Sequence, residues 1–95
     1  MSPTRALRNL VNGQQVDAAD GRTSEVVNPV TGQAYAQAPV SGPADVDAAM
    51  SAAAAAFEGW RDSTPSERQR ALLRIADAIE DRAQEMVDAE SENTG

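Results

Sequence analysis

Three reactive residue types are absent from this chain, which has no cysteine, no histidine and no lysine. Nucleophilic catalysis needs an activated cysteine, lysine or hydroxyl group beside a base, so only serine or threonine with a carboxylate is left. No arrangement of these residues suggests such a pair, and we predict no catalytic residue within the chain. The missing cysteines also exclude a disulfide framework.

Large side chains are almost as scarce, because nineteen of the 95 residues are alanine and only three are aromatic. Burial stabilises a fold by roughly 25 cal/mol per Å² of apolar surface, and an alanine side chain offers little such surface. Ordering the backbone costs roughly 1–2 kcal/mol per residue. We therefore expect a thin core, in one small domain or in part of a larger one.

Negative charge dominates the chain, which carries a formal net charge of −7 and whose eight basic residues are all arginine. Nucleic acids bind to basic surfaces, and anionic membranes bind clusters of lysine and arginine, so neither is an expected partner. No apolar run reaches the roughly 18–20 residues that a membrane span needs. We therefore predict a soluble, cytoplasmic chain.

The first forty residues carry strand and turn signals. We predict a flexible arm over residues 1–9 and an antiparallel β meander over residues 10–40. The pair Asn12-Gly13 supplies the positive φ angles that a two-residue hairpin turn requires. Pro29 ends a strand, because it lacks the backbone donor that would continue the ladder.

Residues 41–95 are predicted to form a two-helix segment. Gly42-Pro43 begins the first helix, since proline at the first helical position loses no intrahelical hydrogen bond. Asp45 lies in the first turn, where a carboxylate suits the helix dipole. Apolar residues then recur every three or four positions, which places them on one face of the helix. The members of this predicted core face are Val46, Ala49, Met50, Ala53, Phe57 and Trp60.

The second helix is predicted to run from Pro65 to Glu90, because Thr64-Pro65-Ser66-Glu67 is a capping box with proline at the first helical position. At 1.5 Å per residue it would be about 39 Å long, whereas a compact globule of this chain length is roughly 32 Å across. Asp88, Glu90 and Glu92 also crowd its carboxyl end, where the dipole favours cations. Both features indicate a missing neighbour or a functional site. The predicted apolar stripe comprises Leu72, Ile75, Ala76, Ile79, Ala83, Met86 and Val87.

Other candidate sites have simpler structural interpretations. The six glycines are scattered and form no loop between a strand and a helix, so we predict no cofactor-binding residue. Trp60 is interpreted as packing one helix against another rather than as stacking on a ligand. The carboxylates of the second helix lie mostly at solvent-facing positions, which favours a solvated face over a general acid–base pair.

The order of these motifs resembles the amino-terminal segment of the aldehyde dehydrogenase superfamily, over about residues 10–95. No single motif is specific for this superfamily, but all of them together, in this order and at these spacings, are a strong indication of it. The pieces that carry the resemblance are Val11-Asn12-Gly13, Asn28-Pro29-Val30-Thr31-Gly32, Asp45-Val46-Asp47-Ala48-Ala49, Ala56-Phe57-Glu58-Gly59-Trp60, Thr64-Pro65-Ser66-Glu67-Arg68 and Asn93-Thr94-Gly95.

The resemblance implies an α/β fold, in which the antiparallel β meander and the two long helices form an incomplete part of a Rossmann-like NAD(P)-binding domain. Relatives are several times longer and oxidise a small aldehyde to the carboxylic acid with NAD or NADP. A cysteine thiolate attacks the aldehyde, hydride passes to the nicotinamide, and a glutamate-activated water hydrolyses the thioester. The resemblance implies that the cysteine, the glutamate and a cofactor-contacting lysine lie beyond residue 95. It also implies a homodimer or homotetramer once the remainder of the dehydrogenase fold is present.

One site is carried over in part. Relatives such as betaine-aldehyde and aminoaldehyde dehydrogenases hold a structural monovalent cation, K⁺ or Na⁺. Its ligands are backbone carbonyls of the strand before Asn-Pro and an acidic side chain after the second helix. The matching positions here are Val26, Val27 and Asn93. Carbonyl oxygens suit hard cations, but Asn93 stands where relatives often have aspartate, and its amide oxygen would bring no charge. A capped helix end without an ion is the alternative.

The resemblance implies that this chain is a fragment of an NAD(P)-dependent aldehyde dehydrogenase. Residues 92–95 favour the γ-aminobutyraldehyde or betaine-aldehyde branch. Two alternatives stay open: a truncated, non-catalytic protein, and a helical interaction module that packs its alanine-rich face on a partner. A reading frame that continues past Gly95 into a cysteine-containing segment would favour the fragment over the truncated protein.

Overall fold

The computed structural model describes residues 5–95, which form five short strands followed by three helices. The strands are β1 (Arg5–Ala6), β2 (Asn9–Val11), β3 (Gln14–Val16), β4 (Thr23–Val27) and β5 (Ala34–Pro39). The helices are α1 (Pro43–Arg61), α2 (Pro65–Asp81) and α3 (Ala83–Thr94). Within this range, no helix combines the length and the apolar character that crossing a membrane requires.

The strands form two sheets rather than the single antiparallel meander predicted for residues 10–40. β2 and β3 pair as an antiparallel hairpin, whose turn holds Asn12 at a φ of 52° and Gly13 at a φ of 75°. A type I′ turn requires positive φ angles at both central residues, so the Asn-Gly prediction is confirmed. The other three strands form a separate sheet in the order β1-β5-β4.

β4 and β5 are antiparallel and are joined by a turn built around Asn28. The Asn28 Oδ1 atom accepts a hydrogen bond from the Val30 N–H at 2.9 Å, and an asparagine side chain favours a turn through such local bonds. Val26 pairs with Ala36 but Val27 pairs with Ala34. Tyr35 is therefore the extra residue of a β-bulge in β5.

The flexible arm predicted for residues 1–9 is wrong for the part that the structure describes. Arg5 and Ala6 pair in parallel with Ala36 and Gln37 of β5, and the Leu7 N–H donates to the Gln37 carbonyl at 2.8 Å. Because β5 is distant in the chain, no local signal indicates this pairing. Residues 1–4 lie outside the described residues.

α1 begins at Pro43, as predicted, and Asp45 ties its first turn to the strands. The Asp45 carboxylate accepts hydrogen bonds from the Gly42 N–H and the Ala19 N–H, both at 2.8 Å. The first bond caps the helix, whereas the second joins the helix to the loop that follows β3. A third bond, from Asn9 Nδ2 to Ser41 Oγ at 2.8 Å, joins the hairpin to the residue just before the start of α1.

The hairpin lies along the alanine side of α1. One groove between them is lined by residues 10–12 of the hairpin and by Ala49, Ala52, Ala53 and Ala56 of the helix. The large residues of the predicted core face are exposed instead, so the prediction is wrong for them within this chain; they are Val46, Met50, Phe57 and Trp60. Among the described residues only Ala18 and Ala36 are buried apolar residues.

The continuous second helix predicted from Pro65 to Glu90 is interrupted at Arg82, whose φ of −112° and ψ of 26° are not helical. Its start is confirmed: the Thr64 N–H donates to Glu67 Oε2 at 2.9 Å, and the Glu67 N–H donates to Thr64 Oγ1 at 3.2 Å. Beyond the interruption, α3 approaches the larger sheet, where the Tyr35 hydroxyl donates to Asn93 Oδ1 at 3.5 Å.

Removing the Asp45 carboxylate should release both backbone groups that it binds. Hydrogen bonds to charged groups contribute roughly 1.5–3 kcal/mol, so we expect Asp45→Ala to accelerate amide hydrogen exchange at Ala19 and Gly42 about tenfold or more. Asp47→Ala removes the same charge from the same turn and should leave both rates unchanged. Equal acceleration in the two variants, measured by NMR, would show that Asp45 does not hold these groups.

The ion pair across the interruption should titrate with acid. Arg82 Nε and Nη2 donate to Glu85 Oε2 and Oε1 at 2.9 and 2.5 Å. These hydrogen bonds, and then the charge of Arg82, hold the pKa of Glu85 below its ordinary value of 4.5. Because the folded pKa is lowered, the pair stabilises the fold at pH values above about 4.5, and its contribution is lost as the pH falls through the folded value.

We expect Arg82→Gln to raise the pKa of Glu85 towards 4.5, because the two hydrogen bonds and the charge are then gone. The change is measured by following the Glu85 carboxyl carbon in a ¹³C NMR titration. Arg74→Gln removes an arginine from α2 without touching this pair and serves as the control. A Glu85 pKa that stays low in Arg82→Gln would contradict the assignment of its cause.

Candidate functional site

The residues predicted to hold a monovalent cation lie at the bulged strand pair and at the end of α3. Val26 and Val27 are the two residues of β4 between which the register shifts. A bulge leaves one residue unpaired and disrupts the ladder locally; here Val26 and Val27 both keep partners on β5, and the unpaired residue lies on that strand. The bulged residue on the opposite strand, Tyr35, is the one that reaches Asn93.

The end of α3 is held beside the turn that follows β4. Gly95 has a φ of +77°, and a Cβ atom added there would lie 3.3 Å from both Pro29 Cγ and Val30 Cγ2. Glycine is the residue that adopts this conformation without strain, and a larger residue would push the turn away. Gly95 therefore allows α3 to end against the turn, which brings Asn93 next to the β4–β5 pair.

Asn93 offers one neutral oxygen at this place. Its Oδ1 atom accepts the Tyr35 hydroxyl at 3.5 Å, a distance at which a hydrogen bond is weak, and an amide oxygen has two lone pairs. The hydrogen bond joins Asn93 to β5, whereas no bond joins it to Val26 or Val27. In residues 5–95 no three histidine, cysteine, aspartate or glutamate side chains are grouped as metal ligands.

The carboxyl end of α3 remains negative. Asp88 accepts a hydrogen bond from Gln84 Nε2 at 2.9 Å, which leaves its charge in place. The four ion pairs within the described chain do not include Glu90 or Glu92. Because carboxylates at the end of a helix oppose its dipole, this end of α3 would be stabilised by a nearby cation.

The helix N-termini do not fit the phosphates of a dinucleotide. Such phosphates bind at free N–H groups where a helix begins. At α1 the Gly42 N–H is bound by the Asp45 carboxylate, and at α2 the Thr64 N–H is bound by the Glu67 carboxylate. Both negative charges would repel a phosphate, so neither position is suited to hold NAD or NADP.

The carboxyl groups with displaced pKa values do not suit acid–base catalysis. The backbone and side-chain hydrogen bonds from Arg22 lower the pKa of Asp20, and Arg82 lowers that of Glu85. A general acid at neutral pH needs a pKa raised towards 7 instead. Both side chains are also at least half exposed, as expected of a solvated surface.

Sequence reasoning missed the second role of Asp45. Its bond to Ala19 crosses 26 residues of chain, and nothing in the local pattern around Asp45 distinguishes it from an ordinary residue of a first helical turn. The carboxylate borders a groove of about 380 Å³ between the hairpin and α1. Because both carboxylate oxygens accept hydrogen bonds from backbone N–H groups, the role of Asp45 at this groove is to hold the loop after β3 against the start of α1.

Comparison with known proteins gives the context for this geometry. The model of the aldehyde dehydrogenase family matches residues 16–95. The chain is 44% identical over 92 residues to 2-hydroxymuconic semialdehyde dehydrogenase of Pseudomonas sp. (strain CF600), covering 96% of this chain and 19% of that protein. It is 43% identical over 83 residues to vanillin dehydrogenase of Pseudomonas sp. (strain HR199 / DSM 7063), covering 87% of this chain and 17% of that protein.

A solved structure has the same arrangement of elements. It is the NAD complex of a protein assigned as methylmalonate-semialdehyde dehydrogenase from Sinorhizobium meliloti 1021. It superposes with a TM-score of 0.89 at 27% identity, over 97% of this chain and 19% of that chain. The α/β architecture is therefore that of the amino-terminal part of the aldehyde dehydrogenase fold, and the chain spans about a fifth of the length of its relatives. With a family model matching residues 16–95 and relatives above 40% identity, the chain belongs to the aldehyde dehydrogenase family.

Proposed function

We propose that this chain is the amino-terminal part of an NAD(P)-dependent aldehyde dehydrogenase subunit, which oxidises an aldehyde to the carboxylic acid. The observation that carries the proposal is the superposition of 97% of this chain on an NAD-bound relative. The attacking cysteine, the glutamate that activates water and the cofactor-contacting lysine belong to later segments of such a subunit. NAD or NADP accepts the hydride when it is bound there.

The contribution of the described residues is structural. Asp45 fixes the start of α1 to the loop after β3, and the capping box fixes the start of α2. Residues 10–40 and 41–95 together supply an incomplete part of the NAD(P)-binding domain. Neither helix start binds phosphate in this proposal, since both are already capped by carboxylates.

The substrate class that we propose is a small aldehyde. The relatives named above are dehydrogenases of 2-hydroxymuconic semialdehyde and of vanillin, and another, from Pseudomonas fluorescens, is named for phenylacetaldehyde. These names span aliphatic and aromatic substrates, and none belongs to the γ-aminobutyraldehyde or betaine-aldehyde branch. That branch, a cytoplasmic location and a homodimeric or homotetrameric complete enzyme are further parts of the proposal.

The proposed activity can be tested in a chimaera. Residues 1–95 replace the matching segment of the Pseudomonas sp. CF600 2-hydroxymuconic semialdehyde dehydrogenase, and aldehyde-dependent NADH formation is followed at 340 nm. We expect activity within about tenfold of the parent, because the replaced segment holds scaffold and no reacting group. The 95-residue chain alone should give none. A chimaera that melts at the temperature of its parent but does not turn over would refute the proposal.

We also propose a monovalent cation, K⁺ or Na⁺, bound by the backbone carbonyls of Val26 and Val27 and by the Asn93 side chain. The bulge at β4–β5 and the position of Asn93 beside it support this site. The uncompensated negative charge at the end of α3 also favours a cation. A neutral set of oxygen ligands suits a weakly held ion, and an added carboxylate would strengthen binding.

The cation proposal predicts that Asn93→Asp increases the stabilisation by K⁺. In the chimaera, the rise in melting temperature on replacing N-methylglucamine by K⁺ should be larger in Asn93→Asp than in the wild type. A ligand at ten times its Kd stabilises by about 1.4 kcal/mol. Ser91→Asp adds the same charge on another side of α3 and is the control. Equal responses of the two variants to K⁺ would exclude a site at Asn93.

A further inference from the structure

Asn12 differs from the other three asparagines of the chain in that its side chain is not held in place. Asn9, Asn28 and Asn93 each make a hydrogen bond through the side-chain amide. Within residues 5–95 the Asn12 side chain makes none, and the residue is exposed to solvent. Its amide group can therefore turn towards the neighbouring backbone without losing a bond.

The residue after Asn12 presents an accessible backbone nitrogen. Gly13 has no side chain to shield that nitrogen, and beyond its chain neighbours no atom lies within 4 Å of where a Cβ would stand. In a two-residue hairpin loop the ladder is closed by the flanking residues, here Val11 and Gln14. Among the turns of residues 5–95, the Gly13 N–H donates to no carbonyl. This nitrogen can therefore react without breaking a hydrogen bond.

We propose that the Asn12-Gly13 turn is a deamidation site, at which asparagine is converted into aspartate and isoaspartate. The Gly13 nitrogen loses its proton and attacks Asn12 Cγ, so that a new C–N bond closes a five-membered succinimide and the side-chain nitrogen leaves as ammonia. Water then opens the ring. Cleavage between Cγ and nitrogen gives aspartate, whereas cleavage between the backbone carbonyl carbon and nitrogen gives isoaspartate. One water is consumed and one ammonia released, with no oxidation or reduction.

The fold protects the similar pair Asp20-Gly21. An aspartate before glycine forms the same succinimide, with loss of water, when its carboxyl group is protonated. The Gly21 N–H, however, donates to the Ala18 carbonyl at 2.9 Å. The Asp20 carboxylate accepts the Arg22 N–H at 3.0 Å and Arg22 Nε at 2.6 Å, and these bonds hold the pKa of Asp20 below its ordinary value of 3.8. Both reacting groups are therefore occupied, and the carboxylate stays ionised and unreactive.

Deamidation changes the hairpin in two ways. Either product adds one negative charge to a chain that already carries −7, on the groove that Asp17 and Asp45 also line. Isoaspartate also adds a methylene group to the backbone of a loop in which Asn12 and Gly13 both have positive φ angles. A type I′ turn depends on this two-residue geometry. We therefore expect isoaspartate, but not aspartate, to break the pairing of β2 with β3.

The experiment compares the two pairs in the same 95-residue chain. The chain is incubated at neutral pH with and without urea, digested, and analysed by mass spectrometry that distinguishes isoaspartate from aspartate. We expect urea to accelerate the reaction at Asp20 about tenfold or more, because the fold there holds a charged group in hydrogen bonds. The rate at Asn12 should be nearly the same in both solutions. It should rise with pH, because the attacking nitrogen must lose a proton.

Two substitutions at position 12 separate the effect of charge from that of the longer backbone. Asn12→Gly keeps a residue that suits the turn but has no side-chain amide, so this site should not react. Freshly purified Asn12→Asp carries the added charge without the added methylene group. Amide hydrogen exchange in β2 and β3 should be as slow in Asn12→Asp as in fresh wild type. It should be faster in the isoaspartate fraction of aged wild type, separated by chromatography.

Two results would overturn the deamidation site. The first is an equal effect of urea on Asn12 and Asp20, whether large or absent, because the fold would then not distinguish the two pairs. The second is deamidation of Asn9 or Asn93 as fast as that of Asn12 in the absence of urea. Slow amide exchange in the isoaspartate fraction would contradict the expected loss of the hairpin and leave the site itself established.

Discussion

The α1 surface beside the β2–β3 hairpin consists mostly of alanine, and the rest of the structure depends on this constraint. Alanine lets the hairpin approach the helix closely, but its burial contributes little at roughly 25 cal/mol per Å². Only Ala18 and Ala36 become buried apolar residues in the described chain, while the larger apolar residues of α1 stay exposed. The chain therefore has the outline of a folded segment without the core that would stabilise it alone.

Polar bonds determine the geometry that this thin core cannot. Asp45 binds the Gly42 and Ala19 amides, the Thr64 capping box begins α2, and the Asn28 turn joins β4 to β5. Each bond satisfies a backbone group that burial or the start of a helix would otherwise leave unpaired. Such bonds are directional and therefore specify where elements lie, but each contributes only roughly 0.5–3 kcal/mol, the larger values belonging to bonds with a charged group. These bonds therefore specify where the elements lie, whereas the buried apolar residues of the described chain that would stabilise them are few.

The elements that the sequence predicts well are those set by adjacent residues. The Asn12-Gly13 turn, the start of α1 at Pro43 and the Thr64–Glu67 capping box all follow from a few neighbouring side chains. The pairing of β1 with β5 and the separation of the strands into two sheets depend on residues that are distant in the chain, and the local pattern does not contain them. At the candidate site, the order of the motifs indicated Asn93. The hydrogen bond from Tyr35 to Asn93 was not predicted, because the bulge that holds Tyr35 depends on the register of β4 and β5.

The acidic residues around Asn93 give a physical reason for a neutral side chain at this position. An aspartate there would join Asp88, Glu90 and Glu92 at the carboxyl end of α3, where the dipole already disfavours negative charge. No ion pair within the described range compensates Glu90 or Glu92. The amide keeps an oxygen that accepts the Tyr35 hydroxyl and avoids that added repulsion. An amide at this position is therefore compatible with a helix end that docks against the Pro29 turn, with or without a bound cation.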